Sequence, residues 1–173
     1  MIQGKKKYTI EEIKKRSPKS LLNIINRAKK FLKTDEVMKK VFQDFGVDIS
    51  FLDLIPMRFG DIEVSATTSH GIITLNYKLL ADGDFFKDYG YLIHEVSHYL
   101  QQCFKNKPTK GADEGEYLDN PDEQEGFQNQ IEYISREFGD NQAEKYVEGL
   151  LDHHDIDSKK ERKEKKDVLM SKV

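Results

Sequence analysis

Residues able to do chemistry cluster in Tyr91-Leu92-Ile93-His94-Glu95-Val96-Ser97-His98-Tyr99-Leu100, where two histidines and a glutamate follow the pattern H-E-x-x-H. On an α-helix each residue turns about 100°, so His94 and His98 fall one turn apart on one face and both imidazoles can reach a single ion. Glu95 lies beside them and need not bind the ion. A carboxylate in that place can accept a proton from water, and the trio suits zinc-assisted hydrolysis.

Such a helix must be anchored. Leu92, Ile93, Val96, Tyr99, Leu100, Cys103 and Phe104 gather on the opposite side of the helical wheel, in a stripe wide enough to seat the helix in a core. Tyr91, Gln101 and Gln102 share the histidine face, as in a cleft lined by polar groups. Cys103 is the only cysteine; on the stripe it is expected as a buried thiol, and it fits a reducing compartment.

A catalytic zinc takes three protein ligands and leaves one position open, so H-E-x-x-H is incomplete. The continuation H-E-x-x-H-x-x-G-x-x-H fails, because positions 101 and 104 are Gln and Phe. His70, in the turn-like Ser69-His70-Gly71, reads as exposed. His153 and His154 come late in a helix, where they complement its dipole, and a third ligand or a transition-state donor there stays open. A better source is Pro121-Asp122-Glu123-Gln124-Glu125-Gly126-Phe127, on a helix able to fold back against the first. Glu123 and Glu125 point about 200° apart on that helix, so the two are not expected to serve one ion together. Acidic residues also suit the first turn of any helix.

His94-Glu95-x-x-His98 followed by Glu123-Gln124-Glu125-Gly126-Phe127 resembles the gluzincin arrangement, in which a glutamate on a later helix completes the site. The pair looks most like small cytosolic zincins of bacteria and their phages, including the ImmA/IrrE-type peptidases, whose second motif often reads E-x-E-A. Less specifically, the resemblance spans about Asp61 to Asp157. It implies an α+β, zincin-like fold: a small β-sheet packed with the H-E-x-x-H helix and further N- and C-terminal helices. It also implies one Zn2+ per chain held by His94, His98 and Glu123, with Glu125 as the other candidate, Glu95 as general base, and a protein or peptide substrate. In resembling families an extended substrate pairs with an edge strand, for which Ile72–Tyr77 is the nominee. Gly126 and Phe127 depart from the pattern, standing where such families carry alanine and a histidine-supporting Asp or Asn. The acceptor for a ligating imidazole's other nitrogen must then be Asp119, Asp122, Glu125 or a backbone carbonyl. A second reading keeps the zinc and drops the turnover: a phage or bacterial accessory or interaction protein on a zincin scaffold. A third is a metal-free binding module.

The rest of the chain supplies the frame. Residues 1–46 are expected as helices, with Thr9 and Glu12 forming a capping box, a helix from Pro18 to about Lys33, and a third capped by Thr34 and ended by Gly46. Residues 47–157 form the core, with strands over 49–59, 61–66 and 72–77 and a long metal-site helix from Phe85 to about Phe104, capped by Asp84. A loop over 105–120 borders the cleft. Two closing helices follow, one opened by Asn120-Pro121 and ended by Gly139, the next capped by Asp140. Residues 158–173, rich in lysine and glutamate, read as a solvated or frayed tail.

Composition excludes several classes. At 173 residues with 37% hydrophobic content, the chain suggests one domain with a true core. No apolar run approaches the roughly 18 residues of a membrane span. The first residues hold lysines without an apolar signal core, so a cytoplasmic protein is expected. A net charge of -3 without a basic aromatic stripe argues against nucleic acid. Oligomeric state is left open.

Overall fold

The computed structural model describes residues 5–105 and 117–173. The N-terminal helices form where their caps dictate. In α1 (Ile10–Lys14) the Thr9 hydroxyl accepts from the Glu12 amide while the Glu12 carboxylate accepts from the Thr9 amide. Ser17 caps α2 (Pro18–Leu32), with Pro18 in its first turn. Asp35, not Thr34, caps α3 (Glu36–Asp44), because the Thr34 hydroxyl already donates to the Phe31 carbonyl at the end of α2. Gly46 ends α3 at φ 65°.

The sheet is smaller than the sequence suggests. Over 49–59 only Met57–Gly60 becomes a strand, β1; Ile49–Leu54 is a 3-10 turn. There the Asp48 carboxylate takes the Ser50 amide, a local bond that competes with a ladder. β2 is Ala66–Ser69, starting where the expected strand over 61–66 stops, and β3 is Ile72–Asn76. His70 and Gly71, at φ 52° and 72°, make the tight turn between them. β2 pairs antiparallel to β3 with Thr67 opposite Thr74, and β1 pairs parallel with Phe59 opposite Leu75. The order β1-β3-β2 makes β3 the central strand. Its nomination as a substrate-pairing edge is therefore corrected: both of its sides are occupied, and β1 and β2 are the edges.

The helix that carries His94 and His98, α4, runs Tyr89–Phe104 after a 3-10 turn over Phe85–Asp88. Asp84 makes no side-chain cap bond; its carboxylate pairs with Lys5 instead. Eleven of the sixteen residues of α4 are buried, so this is an interior helix and not one with a wet face. Leu92, Ile93, Val96 and Leu100 join α2, α3 and the sheet in the larger core cluster. The apolar stripe outruns that core at its end: Cys103 is exposed, against expectation, and so is Phe104, whose ring meets that of Phe51 edge-on.

Against the other side of α4 lies α5 (Pro121–Phe138), whose first amides, at Asp122 and Glu123, bond the Asn120 side chain. Gly139, at φ 91°, ends α5 and also stands before α6 (Asp140–His153), the place expected of Asp140. The tail differs most from expectation. Ser158 caps α7 (Lys159–Leu169), Arg162 pairs with Glu148 and Asp152, and Leu169 enters a second core cluster with Leu118, Phe127, Ile131, Ala143, Val147 and Leu151. One apolar residue in the right place docks a helix that its charges alone would leave in water. The loop expected over 105–120 lies, for residues 106–116, outside the described residues. No described helix is long and apolar enough to cross a membrane.

Candidate metal centre

Close contact between α4 and α5 builds the site. A Cβ on Gly126 would lie 3.1 Å from His94 Cε1 and 3.2 Å from its two ring nitrogens, so glycine lets α5 press directly on the imidazole. Next in sequence, Phe127 sets its ring 4.4 Å from that of His94, centroid to centroid. Gly126 and Phe127 thus form the seat of one histidine. Deeper in, the Ser97 hydroxyl donates to the Ile93 carbonyl and accepts from the Asn129 amide, bolting the two helices together.

Across this interface three donor atoms converge. His94 Nε2 and His98 Nε2 are 2.9 Å apart, and Glu123 Oε2 is 3.2 and 3.1 Å from them. All three residues are buried. A tetrahedral zinc with bonds of about 2.0–2.1 Å separates its ligand atoms by about 3.3 Å, so the triangle fits one small divalent ion bound to one side of it. Two neutral imidazoles and a carboxylate are also a donor set that zinc accepts. Glu125 is not part of the group: its carboxylate accepts from Gln101 Nε2 at 2.7 Å and from Lys105 Nζ at 2.8 Å.

Gln101 sits one turn beyond His98 and supports it. Its amide oxygen is 2.8 Å from His98 Nδ1, which places a ring proton there and leaves Nε2 as the nitrogen that faces Glu123 and His94. The amide group of Gln101 is itself held by Glu125 and by the Asp122 carbonyl. Of the acceptors expected for the histidines, Glu125 and Asp122 therefore act one step out, while Asp119 pairs with Lys165 on α7. His94 Nδ1 is buried without a partner among the described residues.

Electrostatics bind the group together. Burial opposes a charge on His98, but the hydrogen bond and charge of Glu123 outweigh it and lift the imidazole to about 9. Burial likewise resists ionisation of Glu123, yet its bonds to the two histidines hold the carboxyl well below the usual range. Tyr117, stacked on His154 at 5.1 Å, is pushed up by burial and by the Glu123 charge, so its phenol stays a hydrogen-bond donor.

Glu95 is buried beside the trio and keeps its carboxylate out of it. Thr68 Oγ1, on β2, lies 2.5 Å from Glu95 Oε2 and 3.0 Å from its backbone carbonyl, which fixes the side chain toward the edge strand. In front of His94 and Glu95 opens a cleft of about 710 Å³, within the range of ligand sites. Ser65 and Ala66 form its sheet side and α6 its far wall, with Lys145, Gly149 and His153 along it. His153 and His154 stand on that wall and not among the three converging donors; His70 is exposed in its turn.

Thr68 and Tyr117 reach the site only through tertiary packing, and nothing in their local sequence marks them. Gln101 was legible in principle, three residues from His98 on the same helix face. Compared with protein-family models, curated proteins and solved structures, the chain matches none.

Proposed function

We propose that this protein is a zinc-dependent peptidase of gluzincin type on a zincin-like scaffold, with His94, His98 and Glu123 holding the metal and Glu95 acting as general base. The single observation that supports it most is the convergence of His94 Nε2, His98 Nε2 and Glu123 Oε2 beside a separate, oriented Glu95 carboxylate at the floor of a cleft.

When bound, zinc supplies an acidified water and a Lewis acid for a carbonyl oxygen. The chain's own groups do the remainder. Glu95 accepts the proton of the attacking water and passes it to the departing amine nitrogen, so the peptide C–N bond breaks to a carboxylate and a free amine. The Thr68 hydroxyl keeps that carboxylate in one rotamer while it changes charge. Gln101 holds His98 in the tautomer that binds. Tyr117, whose phenol does not ionise near neutrality, offers a proton donor at the mouth of the cleft. An extended substrate lies along the free edge of β2, beside Glu95.

Metal analysis and peptide cleavage test this together. Wild-type protein should carry about one zinc per chain, and Glu123→Ala should lose most of it. Glu95→Gln should keep the zinc while cleavage of a peptide library falls by at least about 100-fold. A Glu95→Gln protein that cleaves as well as wild type ends the mechanism; zinc without any cleavage favours the accessory-protein reading.

A further inference from the structure

α6 contains an interior glycine that packing does not require. A Cβ on Gly149 would meet nothing within 4 Å among the described residues, and Gly149 lines the metal cleft. Glycine inside a helix is less favourable than alanine. At Gly149, an exposed position on the cleft wall, the missing side chain leaves the helix backbone bare to the cleft. Lys145 and His153, one turn before and one turn after, line the same cleft on the same face of α6, each about 6 Å away along the helix. Lys145 makes no ion pair among the described residues, although its neighbours Glu144 and Glu148 are taken by Lys166 and by Arg162 with Lys166. Glu95, which lines the cleft, is engaged by Thr68, and Glu123 behind it by the histidines. What remains is a notch flanked by an ammonium and an imidazole, opposite the reacting groups.

We propose that the notch at Gly149, between Lys145 and His153, receives an acidic side chain of the substrate and sets the specificity of the cleft. This rests on the reading of the cleft as a peptide-binding site, and it names a substrate class: peptides carrying Asp or Glu close to the bond presented to the metal. The ammonium of Lys145 attracts the carboxylate, and the missing side chain of Gly149 lets it approach the helix backbone. Neither residue is among the converging donors His94, His98 and Glu123, so both belong to recognition and not to the metal centre.

The experiment separates recognition from turnover. Zinc-loaded Glu95→Gln protein is titrated with two fluorescent peptide pools, identical except that one carries Glu and the other Lys at the randomised charged position, and wild-type cleavage of the same pools is followed in parallel. The Glu pool should bind at least about fivefold tighter, Lys145→Glu should reverse the preference, and Gly149→Leu should abolish binding of both pools. Gly149→Ala supplies the readout a merely structural glycine would not give: melting temperature up by about 2–3 °C with weaker binding of the Glu pool. Equal binding of the two pools, a preference unmoved by Lys145→Glu, or no binding at all overturns the proposal. Selective binding with no wild-type cleavage leaves the notch standing and removes the peptidase reading instead.

Discussion

At the level of single residues, the site depends on which nitrogen of each histidine carries a proton. Gln101 decides this for His98, since its carbonyl oxygen can only accept. Gln101→Leu keeps the volume and removes the acceptor, leaving a buried Nδ1–H unpaired and Glu125 without one of its donors. Zinc affinity should fall by about 10- to 100-fold, measured by competition with a chelating dye, while the far-ultraviolet circular dichroism is unchanged. Gly126→Ala probes the other histidine. The added methyl group would press on His94 at 3.1–3.2 Å, so the ring must tilt, and the same assay should show weakened binding with little loss of helix. His94, Glu95 and His98 were legible because a helix repeats its faces every three to four residues and their spacing fits that repeat. Glu123 and Glu125 were separable only by packing: both lie on one predicted helix, and the approach of α4 determines which points at the histidines.

Elements were legible where a local signal controls them. Thr9 with Glu12, Ser17-Pro18, Gly46 and Asn120-Pro121 all act where their chemistry says they should. The entry to α4 shows why others were not. Asp84 has the right side chain for a cap, but Lys5, distant in sequence, takes its carboxylate, and Asp88 stands next to α4 with no cap bond either. Burial pushes the Asp88 carboxyl up to about 6, with Lys87 opposing and Asp82 and Asp84 adding to it. Between its unfolded value, near 4, and about 6, the folded state holds a proton that the unfolded chain has released, so the contribution of Asp88 to stability declines as pH rises through that window and is level above it. Partial exposure and the α4 dipole reduce the effect to the order of 1 kcal/mol at pH 7.5. Asp88→Asn should therefore be more stable than wild type by about that amount at pH 7.5, with the gap closing towards pH 4, in urea titrations at the two pH values. An equal gap at both would mean that the carboxyl ionises freely in the folded protein.

For the molecule as a whole, the question is whether the C-terminal segment belongs to the cooperative unit that carries His94, His98 and Glu123. Charge run and low hydropathy mark residues 158–173 as a tail, and that reading fails on two contacts. Leu169, 1% exposed, fills the second core cluster from outside α5 and α6. Lys172 Nζ donates to the side-chain oxygen Oδ1 of Asn129 at 2.6 Å, and Nδ2 of the same side chain donates to the hydroxyl of Ser97, next to His98 on α4. A docked α7 is thus tied through α5 to the helix that carries both histidines. Leu169→Ala removes the apolar anchor and should cost about 2–4 kcal/mol of global stability, as a buried leucine does in a core that cannot collapse around the gap. If the unit is cooperative, near- and far-ultraviolet signals shift together to lower urea, and zinc at 100 times its dissociation constant adds about 2.7 kcal/mol to wild type and variant alike. A free tail would give the opposite result: Leu169→Ala would reduce helix content slightly, leave the main transition where it was, and show that α7 rests on the fold without supporting it.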